Sequence, residues 1–450
     1  MSSIHTRPYS LISSTDEGKV PRERGMAAAL FTTYFGVMGA KCALPSVMYL
    51  LVAPQNGLDF SGWALPPQQL MARQLTIATL TVALGKLMLG PIIDTFGGIL
   101  SLQVSLTVLM VLLGTIASSN SFLVFAICWV LVDFIFSSCW AACINAVHQC
   151  FPEDEWAGRV GMLAAAARTG NATAFAVFAS VLHWTTTARP WRLVFWVSAS
   201  MQLLPIVLLI RFGRLYKREN GLQDNNLGIV TMPSSGSSIE TSLATLRREA
   251  STPEFWLHFC SRSALMLFGS FLLFIPTLMT NCYGTTSAFG AQVGSIFALG
   301  CLLSVTLGSQ LYATLTRKKK IIAIVSMLGL ATCSALGQLG HMCGVLNLSA
   351  NASAALMFLW GFSFAIPFYI PPSLYALERG GIASSATIAD VFDFGGFGLL
   401  AIFNGYVASI QHNALASWIP TFGIMVGCSL MSMVTLALAV FLEYPNGRKR

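Results

Sequence analysis

Long apolar runs alternate with short polar interruptions along most of this chain. They fall at about 26–52, 71–93, 98–118, 122–148, 158–182, 191–212, 254–280, 288–312, 320–341, 351–376, 381–408 and 416–442, twelve in all. A helix rises about 1.5 Å per residue and a bilayer's hydrocarbon core is about 30 Å thick, so about 20 apolar residues make one crossing. A polar, Ser-rich segment at 213–252 divides the runs six and six. It shows no apolar periodicity and reads as a partly disordered linker. The expected fold is an all-α membrane protein, with twelve transmembrane helices in two pseudo-symmetric six-helix bundles. Its parts would be a tail at 1–25, bundles at 26–212 and 253–442, the linker at 213–252 between them, and a tail at 443–450.

Composition agrees with this reading. Charged residues make up 10% of the 450 and hydrophobic residues 55%, whereas a soluble domain carries about 25% charge. Residues 1–25 are polar, and the first apolar run is longer than a signal-peptide core. The net charge of +8 reflects placement, not nucleic-acid binding. With both termini in the cytosol, 19 of the 26 Lys and Arg residues fall in inner segments, while Arg73, Arg189 and Arg192 fall outside. That bias fixes the expected orientation, though not which membrane. Asn347 and Asn351 head sequons in an outer loop; a third, at Asn171, falls inside a span. The eleven cysteines are scattered without a Cys-x-x-Cys pair, and of these Cys282 and Cys343 lie near outer loops. No serine elbow, metal-ligand cluster or phosphate-cradling loop is present, so neither an enzyme, a metal nor a cofactor is expected. The acidic residues after His148 and Cys150 read as a solvated loop.

Once the loops and the edges of the runs are set aside, seven charged residues remain inside the spans: Lys41, Lys86, Arg168 and Arg262, with Asp133, Asp390 and Asp393. An ion at mid-bilayer costs about 2.5–3.5 kcal/mol or more, so each needs a partner or a wet cavity. Lys41 lies too deep to reach the inner surface, whereas Arg262 is near enough to its helix start to snorkel. Arg168 shares a face with Asn171, three residues on. Asp390 and Asp393 share a face likewise. Lys86 and Asp390 have similar depths, which admits either an ion pair closing the inner end or two hydrated side chains.

Between the second and third runs stands Gly90-Pro91-Ile92-Ile93-Asp94-Thr95-Phe96-Gly97. It resembles the Gly-x-x-x-Asp-x-x-Gly loop of the major facilitator superfamily. The halves also resemble a repeat: near an offset of 225, Arg168-Thr169-Gly170 overlays Asp393-Phe394-Gly395. Gly85-Lys86-Leu87-Met88-Leu89-Gly90, Cys139-Trp140, Ala146-Val147-His148, Gly361-Phe362, Pro367, Ala376-Leu377-Glu378 and Gly395-Gly396 resemble the organophosphate–phosphate antiporters. The resemblance implies two bundles around a central cavity that opens alternately to either side. It also implies a cation pair on spans 1 and 7. Only Lys41 of that pair survives, since alignment on Pro276-Thr277 places Phe268 at the second position.

The expectation is therefore a monomeric secondary carrier of a small polar or anionic organic solute, possible partners of which are phosphate in exchange or a proton in symport. Lys41, Arg168, Asn171 and Lys86 would bind the solute. Asp94, Arg159, Asp390 and Asp393 would serve gating or ion coupling. A non-transporting receptor on the same fold is the alternative outside the carrier class.

Overall fold

The computed structural model describes residues 16–53, 56–185, 187–219, 239–285, 287–410 and 418–443. The first 15 residues, most of the C-terminal tail and His412 lie outside them. Among the described residues there is no β-strand, only one isolated bridge between Asp59 and Ser121.

Among the described residues, nine helices are long and apolar enough to cross a bilayer: Glu23–Met48, Gln69–Phe96, Gly98–Ser118, Phe122–Cys150, Pro190–Arg214, Gln292–Thr314, Arg317–Met342, Ala350–Phe403 and Trp418–Leu442. A bent pair, Pro253–Ser270 with Ile275–Tyr283, turns by 52° and makes one further crossing. The 54-residue helix Ala350–Phe403 holds two crossings, because Gly381 breaks it with φ 57° and ψ −159°. Trp156–Trp184 is long enough to cross but carries Arg159, Arg168, Asn171, Thr169, Thr173 and His183, which lower its apolarity. Counting it gives the twelve crossings, numbered here as spans 1 to 12 in chain order, with spans 10 and 11 on either side of Gly381.

Lipid-facing surfaces are readable as stripes. Ile77, Leu80, Leu84 and Leu87 on span 2 are exposed at helical spacing, and so are Leu430, Val434, Leu438 and Phe441 on span 12. Such surfaces suit hydrocarbon, not water. On span 2 Lys86 points the other way and is buried.

The repeat has a packing counterpart. A Cβ on Gly170 of span 5 would lie 2.4 Å from the Phe35 carbonyl oxygen of span 1, and one on Gly395 of span 11 would lie 2.4 Å from the Phe259 ring of span 7. Both glycines let a fifth helix of a bundle press on its first helix, at matching positions of the two halves.

Two expectations change. The 213–252 segment is not structureless throughout: span 6 continues helically to Glu219, and Ile239–Glu249 forms a separate linker helix. Its sequence is amphipathic over three turns, a signal diluted by the Ser-rich residues before it. The linker helix lies on the start of span 11, where the Ser242 hydroxyl donates to the Ala383 carbonyl at 2.5 Å. Arg262 does not snorkel either; it is buried at 4% exposure. Cys282 and Cys343 are both free thiols.

Candidate functional site

The Gly90–Gly97 run owes its residue types to a junction between the bundles. Gly90 lets span 2 approach span 11 so closely that a Cβ would lie 2.8 Å from the Thr387 Cα. Gly97 takes φ 88°, which ends the helix and turns the chain into span 3. Asp94, between them, reaches across to the first turn of span 11. Its carboxylate accepts from the Ala386 N–H at 3.0 Å, the Thr387 N–H at 2.8 Å and the Thr387 hydroxyl at 2.6 Å. A carboxylate on N–H groups near the start of a helix is favoured by the helix dipole. Asn145 of span 4 completes the junction, donating to Asp94 at 2.9 Å and accepting from the Gly98 N–H at 2.7 Å. The sequence marked Asp94 but not Asn145, whose one signal was an amide inside an apolar run.

Arg159 does not join Asp94. It forms an i, i+4 pair with Glu155 at 2.6 Å, and its guanidinium lies 4.3 Å from the Phe151 ring centre. The loop acids sit within its reach, so the local pair forms first.

Deeper along the same interface lies a four-charge network. The Lys86 ammonium is 2.9 Å from Asp390 Oδ1 and 2.9 Å from Asp393 Oδ2. The Arg262 Nε–H donates to Asp393 Oδ1 at 2.8 Å, while Nη1 donates to the Phe368 carbonyl at 2.5 Å. All four side chains are buried. Two cations thus face two carboxylates, joining span 2 of one bundle to spans 7 and 11 of the other. Lys86 and Asp390 are paired, not hydrated. Asp390 Oδ2 has no hydrogen-bond partner.

Lys41 stands between the bundles. Its ammonium lies 3.7 Å from Asp133 Oδ1, 4.0 Å from the Phe136 ring centre and 6.0 Å from that of Phe397 on span 11. A third of its side chain, 33%, remains exposed. Asn171 accepts from the Cys42 thiol at 3.5 Å, so spans 1 and 5 meet beside Lys41.

Arg168 differs from the other three cations. Its Nη2 donates to the Tyr369 hydroxyl at 2.9 Å, and its buried Nε–H has no partner. Among the described residues it faces no carboxylate. Around it the rings of Tyr34, Trp140 and Tyr369 form a chain, with centroids 5.1 Å and 5.7 Å apart. Sequence reasoning missed these rings, since aromatic residues inside spans are mostly packing. Phe268 holds no site position: it is fully buried and stacked 4.3 Å from Trp360.

These contacts join the bundles from the linker end up to mid-depth. A glycine contact between spans 5 and 8 adds to them, where a Cβ on Gly161 would lie 2.2 Å from the Ser309 hydroxyl. The molecule is therefore closed at the end that carries the linker.

Comparison with known proteins agrees with this architecture. No curated protein sequence matches the chain. Among solved structures, the chain is similar to the proton:xylose symporter XylE bound to 6-bromo-6-deoxy-D-glucose, with TM-score 0.65 and 14% identity over 93% of this chain and 95% of that one. It is also similar to FucP in the outward conformation, with TM-score 0.62 and 13% identity over 92% and 98%, and to a variant of the E. coli fucose:proton symporter FucP, with TM-score 0.61 and 13% identity over 92% and 98%. At such identities the likeness concerns the fold alone. The family model of the Major Facilitator Superfamily matches residues 26–389, and with twelve crossings in two matching halves the chain belongs to that superfamily of membrane transporters.

Proposed function

We propose that the protein is a secondary carrier that moves a small polar or anionic organic solute by alternating access, with Arg168 at the centre of its binding site. One observation carries this reading: of the seven Lys, Arg, Asp and Glu side chains set at mid-depth, six face an opposite charge, and among the described residues Arg168 faces none. An uncompensated cation at mid-depth is costly, and a visiting anion would offset that cost. Asn171, three residues on, shares the helix face of Arg168, and the Cys42 thiol beside Lys41 donates to Asn171. Alternating access requires the two access states to bind the solute differently. An anion between the bundles would do so, because its attraction to Arg168 strengthens as water is excluded.

Asp94 and the Lys86–Asp390–Asp393–Arg262 network then act as the gate at the linker end, which positive-inside topology assigns to the cytosol. Arg159 supports the adjoining loop and takes no part in that closure. Lys86 belongs to the gate more than to the solute site, since both its carboxylate partners already hold it.

Exchange of a phosphorylated metabolite for phosphate draws less support than the carrier class itself, because the second cation position of that branch is filled by the stacked Phe268. Symport with a proton is the second reading, favoured by the unpartnered, fully buried Asp390 Oδ2. Protonation there would loosen the bond to Lys86 and thereby the gate.

Transport by reconstituted protein tests the proposal. Arg168→Ala should abolish solute flux, at least about a tenfold loss for one charged hydrogen-bond partner, while the variant still reaches the membrane. Undiminished flux would remove Arg168 from the site. Dependence of wild-type flux on an imposed pH gradient separates the two coupling modes.

A further inference from the structure

We infer that the solute is a small monocarboxylate with an apolar body, as opposed to a phosphate ester, a dicarboxylate or an uncharged sugar. The inference rests on the carrier reading above and specifies its substrate by charge, shape and surroundings.

The charge comes from a count of the side chains at mid-depth, since Asp94 lies at the linker end and is held there by backbone N–H, hydroxyl and amide donors. Lys41 faces Asp133, and Lys86 with Arg262 faces Asp390 with Asp393. What remains is the single positive charge of Arg168. When the bundles close over a solute, water leaves and the local dielectric falls, so residual net charge becomes expensive. One negative charge brings the closed site to neutrality. A phosphate ester carries about two at neutral pH and would leave the closed site negative. An uncharged solute would leave Arg168 bare once its water had gone. Closure thus selects a monoanion, even where the open site tolerates others.

The shape comes from the free edge of the guanidinium. Nη2 spends one hydrogen on Tyr369, and the adjacent Nε–H is buried and without a partner. A planar fork of two N–H groups matches a carboxylate in two parallel hydrogen bonds. Asn171 lies one turn away with its oxygen engaged by the Cys42 thiol, which leaves its amide N–H groups for the anion's other lone pairs. For the rest of the solute the surroundings are Tyr34, Trp140, Tyr369 and Phe136. Aromatic faces make up most of that lining, with the Tyr34 and Tyr369 hydroxyls and the Trp140 indole N–H at their edges.

Uptake into proteoliposomes at neutral pH tests the count, with lactate and phenylacetate as monoanions and phenylacetamide, succinate and glycerol 3-phosphate as controls. Empty liposomes supply the passive background. Wild type should carry at least one monocarboxylate about tenfold faster than any control, the effect of about 1.4 kcal/mol. Asp133→Asn releases Lys41 and raises the site's charge by one. It should shift the ratio of succinate or glycerol 3-phosphate to monocarboxylate upward by about tenfold or more. Lys41→Gln lowers the charge by one and should shift selectivity toward phenylacetamide, which keeps the test open if the first variant folds poorly. Preferred uptake of a control by wild type, or a selectivity unmoved by both variants, overturns the inference and leaves the carrier reading standing. No flux of any probe overturns both.

Discussion

At the scale of single residues, partnership decides what each buried charge does. Lys86 sits between Asp390 and Asp393, so removing it leaves two carboxylates close together in a dry interface. Breaking one side of a buried pair costs about 3–5 kcal/mol. Lys86→Asp should therefore impair transport and lower the melting temperature. Lys86→Asp combined with Asp390→Lys restores opposite charges across the same gap and should recover part of both. Flux and thermal unfolding of the purified variants measure this, and a double variant no better than the single would refute the pairing's role in the gate. Arg159 illustrates the opposite case: with Glu155 four residues away and both side chains partly exposed, its pair is local and worth little.

At the scale of elements, spans 2 and 11 and the linker helix form one closing device. Gly381 lets span 11 start anew beneath span 10, and its first turn presents the N–H groups that Asp94 holds. The linker helix covers that same turn through Ser242, which donates to Ala383 and accepts from the Ser384 hydroxyl at 3.4 Å. Ser242 is fully buried, so a charged side chain there cannot be housed. Ser242→Glu should release the linker helix, seen as faster proteolysis within 239–249 at unchanged overall folding. Unchanged cleavage would show that the helix is held elsewhere. The helix itself escaped the sequence reading because its burial depends on span 11, not on a hydrophobic run of its own.

At the scale of the whole molecule, the two bundles meet along their linker-end halves and must part there to change access. Spans 5 and 8 touch at Gly161 and Ser309, where side chains would nearly coincide. Gly161→Ser puts a second hydroxymethyl group into this space and should lower flux, while Gly161→Ser combined with Ser309→Gly moves that group to the facing helix and should recover part of it. Unchanged flux in the single variant would mean this contact need not form. The family fold was legible because the Gly-x-x-x-Asp-x-x-Gly run stands between the second and third spans. The pairing of Lys86 with Asp390 was partly legible from depth. Their inclusion with Asp393 and Arg262 in one network was not, since depth along a helix says nothing about rotation toward a neighbour.

The sequence by itself determined the number of crossings, their division into two sets of six, and which residues stand at odds with the lipid. It could do so because the bilayer makes a local demand: every span must satisfy its own backbone and keep an apolar flank. Only the tertiary structure decided which of those charges cancel. Lys86 and Asp390 are 304 residues apart in sequence; their matching depth allowed the pair, and only the packing of the bundles turns the two side chains toward each other. The three-dimensional packing of the bundles neutralises six charges among themselves and leaves Arg168 to face what enters.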